Sequence, residues 1–208
     1  MPSETLAGSS APTVGLPKMT YEEFLEWVPE DFRAEWVDGN IIPMAPPSTD
    51  HQDISLFLAA ALRAFAETKK LGKVLAAPVQ VKIGAELGGR EPDIIFLANE
   101  HLDRVRKNHI AGPVDLAVEI IGPDSRGRGR GEKYYEYEAG GVREYWLIDP
   151  LRRQTEFYQL DESGTYALIP PVDGRYASRE LPGLWIETRW LWQPPTLLEV
   201  LRAWALIA

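Results

Sequence analysis

The segment that most constrains the fold of this 208-residue chain is a nearly unbroken apolar run, Asp115-Leu-Ala-Val-Glu-Ile-Ile121. Successive side chains of a strand point to opposite faces, so the run predicts a central strand that is covered on both sides. One carboxylate, Glu119, interrupts the run, and a buried carboxylate is costly unless a counter-charge or a metal ion neutralises it. The run therefore predicts a sheet core that contains either an ion pair or a cation site.

The segments around this run predict a mixed α/β domain. A capping box from Thr20 to Glu23 predicts a short helix, and Asp-Gly at 38–39 predicts a hairpin. Ser48 and the apolar spacing after it predict a long helix that ends at Gly72. Further elements are expected as strands over 79–83, 93–97 and 144–148, a hairpin over 153–160 and 165–169, and helices over 132–139 and 194–208.

Composition excludes several classes of site. The chain has no cysteine, which excludes a disulfide scaffold, a zinc–thiolate site, an iron–sulfur cluster and a cysteine nucleophile. Its 31 acidic and 22 basic side chains give a formal net charge of −9, which argues against a purely electrostatic nucleic-acid binder. No apolar run is long enough to span a bilayer. Residues 1–17 are expected to form a flexible tail and not a signal peptide. We therefore expect a cytoplasmic protein, not a membrane protein, with a single domain over residues 18–208.

Two acidic residues are expected to converge at one end of the sheet. Asp93 opens the strand that precedes Glu119, and pairing of these strands would bring both carboxylates together. Because like charges repel, either one carboxyl group is protonated or a cation lies between them. Oxygen ligands without cysteine favour Mg²⁺ or Mn²⁺. Lys133, at the start of a short helix, could return its ammonium to this site, and such a set is typical of metal-dependent phosphodiester cleavage.

Each of these residues also has a purely structural interpretation. Glu119 could be paired with an arginine or lysine, Asp93 could cap its strand, and Lys133 could be a solvated helix residue.

The order of the acidic motifs resembles the core of the PD-(D/E)XK nucleases. A longer ordered set is similar to the Uma-type (Uma-two) family of bacterial restriction-endonuclease-like proteins over roughly residues 19–185. The motifs that carry this resemblance are Glu35-Trp-Val-Asp-Gly39, Pro46-Pro-Ser-x-x-His51, Glu91-Pro-Asp93, Asp115-Leu-Ala-Val-Glu-Ile120, Gly131-Glu-Lys133 with Tyr137, and Gly141-Val-x-Glu-Tyr-Trp-Leu-Ile-Asp-Pro150.

This resemblance implies a restriction-endonuclease-like fold. We expect a mixed sheet of four or five strands flanked by helices, with an N-terminal hairpin and a C-terminal β-hairpin and helix. It also implies a DNA endonuclease that depends on Mg²⁺, with Mn²⁺ as a substitute. Asp93, Glu119 and the backbone carbonyl of Ile120 match the family's metal ligands, and Lys133 matches its helix lysine. A homodimer is expected, because many relatives of this fold cut two strands and the end of the chain is apolar and rich in tryptophan.

Two positions depart from the family pattern. Ile121 stands where the motif usually has its lysine, and Gly129 stands where relatives commonly have an aspartate. A catalytically degenerate fold that binds DNA or a protein partner is therefore the main alternative. A metal-dependent hydrolase of another phosphoester, such as RNA, is a third possibility, and the sequence leaves endo and exo modes open.

Other residues have two interpretations each. Glu35 could be an auxiliary catalytic acid or a strand-edge charge, and His51 could line the site or cap a helix. Gln80 is expected on the polar side of its strand, where it could contact substrate. Three arginines in the Gly-rich loop could bind phosphate or be solvated, namely Arg126, Arg128 and Arg130. Four tryptophans are expected in the core or a dimer interface rather than in base stacking, namely Trp185, Trp190, Trp192 and Trp204.

Overall fold

The computed structural model describes residues 16–29, 32–122 and 131–208. Within these ranges the α-helices are α1 (Tyr21–Trp27), α2 (Thr49–Lys69), α3 (Glu132–Gly140) and α4 (Leu197–Ala203), and two 3-10 helices span Asn99–Arg104 and Thr188–Leu191. The strands are β1 (Ala34–Val37), β2 (Asn40–Pro43), β3 (Gly72–Ala76), β4 (Gln80–Lys82), β5 (Gly89–Arg90), β6 (Ile94–Ala98), β7 (His109–Ala111), β8 (Leu116–Ile120), β9 (Glu144–Asp149), β10 (Gln154–Leu160), β11 (Tyr166–Leu168), β12 (Arg175–Ala177) and β13 (Trp185–Glu187).

The main sheet has six strands in the order β11-β10-β9-β8-β6-β3. The predicted central strand is β8, and all five of its residues are buried. β8 is antiparallel to β6, with Ile94 opposite Val118, and parallel to β9, with Ile120 opposite Ile148. The pairing of β6 with β8 brings Asp93 to the edge of the sheet at which β8 ends.

Alternate residues of β8 enter two separate apolar clusters on the two faces of the sheet. Leu116, Val118 and Ile120 pack into a cluster that includes α2 and the C-terminal part of the chain. The opposite face, which carries Ala117 and Ile121, packs against residues of α3 and the second sheet. Glu119 belongs to this second face because side chains alternate along a strand, and the alternation determines which helix can supply its partners.

The four C-terminal tryptophans belong to the first cluster. Trp190 and Trp204 are buried in it, and Trp185 and Trp192 pack against it partly buried. The ring of Trp190 contacts those of Trp185 and Trp204, and Trp204 also contacts Phe65 of α2. This confirms the expected core role. No helix of the described residues is both long enough and apolar enough to cross a membrane.

A second, five-stranded sheet lies beside the first and has the order β2-β1-β5-β4-β7. The Asp-Gly hairpin is confirmed as β1–β2, in which Val37 pairs with Asn40. β1 also pairs with β5 through Trp36 and Gly89, so residues near 35 and near 90 become neighbours. A Cβ atom on Gly89 would lie 2.2 Å from a ring carbon of Tyr21, so glycine is required at this contact.

Three sequence-based expectations were wrong in detail. α2 does not end at Gly72 as expected. It ends earlier, because Lys70 adopts the left-handed conformation with φ 56° and is the C-cap residue. Gly72 instead begins β3, where a Cβ atom would lie 2.0 Å from the carbonyl oxygen of Leu97. β3 was missed, so the main sheet has six strands instead of four or five, and α4 is shorter than the expected 194–208.

Candidate active site

A cavity of about 220 Å³ opens at the edge of the main sheet where β6 begins and β8 ends. It collects side chains from both sheets and from the starts of α2 and α3. The residues that line it include Arg33, Glu35, Ser48, His51, Asp93, Glu119, Ile120, Gly122 and Lys133. Glu35, His51, Asp93, Glu119, Ile120 and Lys133 were expected at the site from the sequence, and the structure brings them together.

Asp93 is held from two sides at the start of β6. Its Oδ2 accepts a hydrogen bond of 2.7 Å from the backbone N–H of Ile120, and its Oδ1 lies 2.9 Å from Nε2 of His51. The first contact exists because β6 and β8 are antiparallel neighbours. Asp93 is therefore buried with its carboxylate fixed in one orientation.

His51 reaches Asp93 because of the way α2 begins. Ser48 is the N-cap residue, and its side chain accepts from the backbone N–H of His51 at 3.2 Å. This cap places His51 in the first turn, on the buried side of the helix. The N-cap residue Ser48 thus helps to position the site residue His51.

Glu119 is bound by two side chains of α3. Nζ of Lys133 lies 2.7 Å from both of its carboxylate oxygens, and the hydroxyl of Tyr137 donates to Oε1 at 2.7 Å. Lys133 and Tyr137 are four residues apart, so they share one face of α3. Ile121 packs with Tyr137 in the apolar cluster beside them. The ammonium group beside Glu119 therefore comes from Lys133, while position 121 carries an apolar side chain.

Glu35 connects the two sheets through a buried ion-pair network. Its Oε1 lies 2.7 Å from Nζ of Lys133, and its Oε2 accepts from Arg90 at 3.0 Å. Arg90 is fully buried, and its Nε and remaining terminal nitrogen donate to Glu136 of α3 at 2.6 and 2.7 Å. The strand-edge interpretation of Glu35 is therefore wrong, since the side chain is buried and paired.

Sequence reasoning missed Arg90 and gave Tyr137 no role. The available signal was the position of Arg90 directly before Glu91-Pro-Asp93, at the start of a motif that was already recognised. Arg33, which lines the cavity, was missed as well, and it pairs with the buried Glu91 at 2.6 Å.

The carboxylates of the cavity differ in pKa. Burial raises the pKa of Glu119 to about 7; the charge of Lys133 opposes this, while Asp93 and Glu35 add to it. Burial acts in the same direction on Glu35, but the charges of Lys133 and Arg90 outweigh it and hold the pKa of Glu35 below its usual range. Burial disfavours the charged form of Lys133, yet Glu119 and Glu35 raise its pKa above the usual value. The positive charge at the cavity is thus spread over more carboxylates than it can fully neutralise.

The donor set fits a hard divalent cation. Mg²⁺ commonly binds through one or two carboxylates and keeps several waters, and Asp93 with Glu119 supplies two carboxylates facing one cavity. Across the described ranges, no group of three His, Asp or Glu side chains is arranged to hold a metal ion. A cation here would therefore depend on a backbone carbonyl and water as further ligands.

One further predicted residue, Gln80, lies outside the cavity. Gln80 was expected on the polar side of β4, and this was wrong: it is buried, and its Nε2 donates to the carbonyl of Ala34 at 2.8 Å and to Glu91 at 3.2 Å. It does not line the cavity. Other predicted positions fall outside the described residues. These are Arg126, Arg128 and Arg130 of the Gly-rich loop, and Gly129, where relatives commonly have an aspartate.

Comparisons with known proteins identify relatives of the sequence and of the fold. The model of the family Uma2, described as "Putative restriction endonuclease", matches residues 21–189. A crystal structure from Anabaena variabilis, described as "a putative nuclease belonging to DUF820", superposes with a TM-score of 0.69 at 18% sequence identity. The superposition covers 84% of this chain and 98% of that one, so the two share a fold. No curated protein matches the sequence.

Proposed function

This chain belongs to the Uma2 family, described as "Putative restriction endonuclease", and from that premise we propose that it is a Mg²⁺-dependent endonuclease that hydrolyses DNA phosphodiester bonds. The observation that carries the proposal is the meeting of Asp93, Glu119 and Lys133 at one cavity at the end of the central strand. These are the groups that metal-assisted phosphodiester hydrolysis needs, brought together from three separate elements.

Asp93, Glu119 and the backbone carbonyl of Ile120 are the groups that would hold the metal. When bound, Mg²⁺ (or Mn²⁺ in its place) would acidify a water nucleophile and stabilise negative charge on the phosphate. Asp93 is already oriented by His51 and by the N–H of Ile120, so less ordering is required of it on binding.

Lys133 supplies the positive charge that belongs to the protein itself. Its ammonium lies between Glu119 and Glu35, and the buried Arg90 holds Glu35 from the other side. In this position Lys133 can orient a water molecule and offset the charge that develops on the phosphate. Glu35 acts through Lys133 as a positioning residue.

The alternative is a degenerate nuclease fold that binds DNA or a protein partner without cutting. The observation that favours it is the pairing of both Glu119 oxygens with Lys133, which neutralises this carboxylate without a metal. Calorimetric titration with Mn²⁺ separates the two functions. The nuclease should bind Mn²⁺ with an affinity that falls at least about tenfold in Asp93→Asn, whereas a degenerate module should show no such binding.

Cleavage of a closed circular plasmid with Mg²⁺ or Mn²⁺ tests the activity directly. A circle has no ends, so nicked or linear product identifies an endonuclease and excludes a purely exonucleolytic enzyme. Asp93→Asn should abolish cutting, and Glu67→Gln is the matched control because Glu67 is an exposed residue of α2 paired only with Arg63. Equal cutting by the parent and Asp93→Asn would refute the proposal, and preference for a matched RNA would reassign the substrate.

We also propose that the enzyme acts as a homodimer, since many relatives of this fold cut two strands and two protomers would supply one site for each strand. Light scattering after size-exclusion chromatography should give twice the mass of the chain.

A further inference from the structure

A second feature lies on the same edge of the main sheet as the cavity. β8 and β9 run parallel with Ile120 opposite Ile148, and the turn at 150–153 connects β9 to β10 directly beyond this pair. Neighbouring strands are about 4.8 Å apart, so the turn begins roughly one strand spacing from the end of β8. A duplex bound at the cavity would extend over this turn.

The turn presents an apolar and two basic side chains to solvent. Leu151 is 74% exposed, and Arg152 and Arg153 are exposed as well. Asp149 holds the turn by accepting from the backbone N–H of Arg152 at 3.0 Å. Arg153 has φ 50°, a left-handed conformation that side chains other than Gly, Asn and Asp rarely adopt. The turn thus keeps Arg153, adjacent to Arg152, in a conformation that arginine does not favour.

The two arginines also differ from the others in their contacts. Within the described residues, every other arginine side chain donates to a carboxylate or a backbone carbonyl. Neither guanidinium of the turn has such a partner in those ranges. Asp50 and Asp53 of α2 line a groove of about 170 Å³ together with Arg153, but no ion pair joins them to it. In a chain with net charge −9, these two cations remain free to bind an external anion.

We propose that Arg152 and Arg153 bind the phosphate backbone of duplex DNA beside the bond that is cut. The proposal rests on the proposed nuclease function and assigns part of its substrate contact. A guanidinium binds phosphate oxygens in a bidentate manner, and two in succession can contact neighbouring phosphates. The free guanidinium groups and their place on the catalytic edge of the sheet support this role.

DNA binding as a function of salt tests the proposal without relying on cleavage. In a Glu119→Gln background, fluorescence anisotropy with a labelled duplex would give Kd between 50 and 200 mM KCl. The association constant falls as salt rises, and each lost phosphate contact reduces the steepness of log K against log salt concentration by about 0.9. Arg152→Gln with Arg153→Asn should therefore lower the slope by about 2 and weaken binding at 50 mM by at least about tenfold. Asparagine is chosen at 153 because it tolerates the left-handed conformation.

Two controls define the result. Arg152→Lys with Arg153→Lys keeps both charges and should retain the slope. Arg63→Gln removes one positive charge about 18 Å along α2 from His51 and should leave the slope unchanged. The inference is overturned if the neutral double variant keeps the parental slope, or if Arg63→Gln lowers it equally. A parent protein that neither binds nor cuts DNA would refute the proposed function itself, which is a separate outcome. Circular dichroism of each variant confirms that it is folded.

Discussion

Two buried glutamates on neighbouring strands of the main sheet, Glu119 on β8 and Glu144 on β9, have opposite surroundings. Glu144 is the first residue of β9, is fully buried and lies opposite Leu116 of β8. Among the described residues, its hydrogen-bond donors are all neutral, at 2.6–3.0 Å, namely Trp146 Nε1, Tyr176 OH, Ser178 Oγ and the backbone N–H groups of Arg179 and Glu180. Glu119, at the other end of the parallel pair, is bound by a lysine and a tyrosine and faces a cavity.

The difference shows how one residue type, buried to a similar extent, can either be saturated by hydrogen bonds or face a cavity with a shared counter-charge. Donors fixed by the backbone and by packed side chains occupy both carboxylate oxygens of Glu144. Glu119 is neutralised mainly by Lys133, which it shares with Glu35, and a second carboxylate from Asp93 lines the same cavity. Saturation by fixed dipoles stabilises the fold, whereas shared charge next to a cavity leaves a carboxylate available to a cation.

The strongest test of this contrast is the same substitution at both sites. Glu119→Gln should reduce plasmid cleavage by roughly 1000-fold, because it removes the charge of a proposed metal ligand. The protein should remain folded, since Lys133 keeps Glu35 as its partner. Initial rates of nicking with Mn²⁺ measure the effect. Unchanged cutting would place Glu119 outside the chemistry.

Glu144→Gln should instead damage stability. The new amide nitrogen meets N–H and O–H donors in place of an acceptor, and the expected loss is about 3 kcal/mol in the free energy of unfolding. For a chain of this size that loss corresponds to a decrease in Tm of roughly 6–12 °C. Calorimetry measures the decrease, and cleavage per folded molecule should stay near the parental value. A variant that melts like the parent would show that the network around Glu144 contributes little.

The Glu119 site should also make the stability of the protein depend on pH. The folded-state pKa of Glu119, about 7, lies above its ordinary value of 4.5, so the folded protein binds more protons between these limits. Stability from this group is therefore fully present below pH 4.5 and is lost as pH rises through 7. Glu119→Gln lacks this loss, so we expect its Tm relative to the parent to rise between pH 5 and pH 8. Parallel Tm–pH curves for the two proteins would contradict the raised pKa.

The smallest expected effects come from two tyrosines that donate 2.7 Å hydrogen bonds to the two glutamates, Tyr137 to Glu119 and Tyr176 to Glu144. Replacing either by phenylalanine should cost about 1 kcal/mol of stability in urea unfolding. Only Tyr137→Phe should also change Mn²⁺ affinity in calorimetric titration. Equal effects of both variants on Mn²⁺ binding would remove the distinction between the sites.

Much of the framework was predictable because it depends on local patterns. The capping box at Thr20, the hairpin at Asp38-Gly39 and the long helix after Ser48 each follow from residues a few positions apart. β3 was missed because it has no clear period of apolar residues, and only one of its five residues is buried. Gln80 was misplaced because alternation along β4 cannot reveal that Gln80 and Val81 are both buried although successive side chains of a strand point to opposite faces.

The sequence by itself determined that β8 is central, that it buries a carboxylate, and that Asp93 lies on a strand able to pair with it. These conclusions follow from composition and short-range spacing, which act before the chain is packed. Only the tertiary structure decided which groups neutralise those carboxylates. His51 meets Asp93 across 42 residues, and Arg90 meets Glu35 across 55. Such pairs depend on how sheets and helices pack, because packing decides which side chains come within hydrogen-bonding distance of a buried charge.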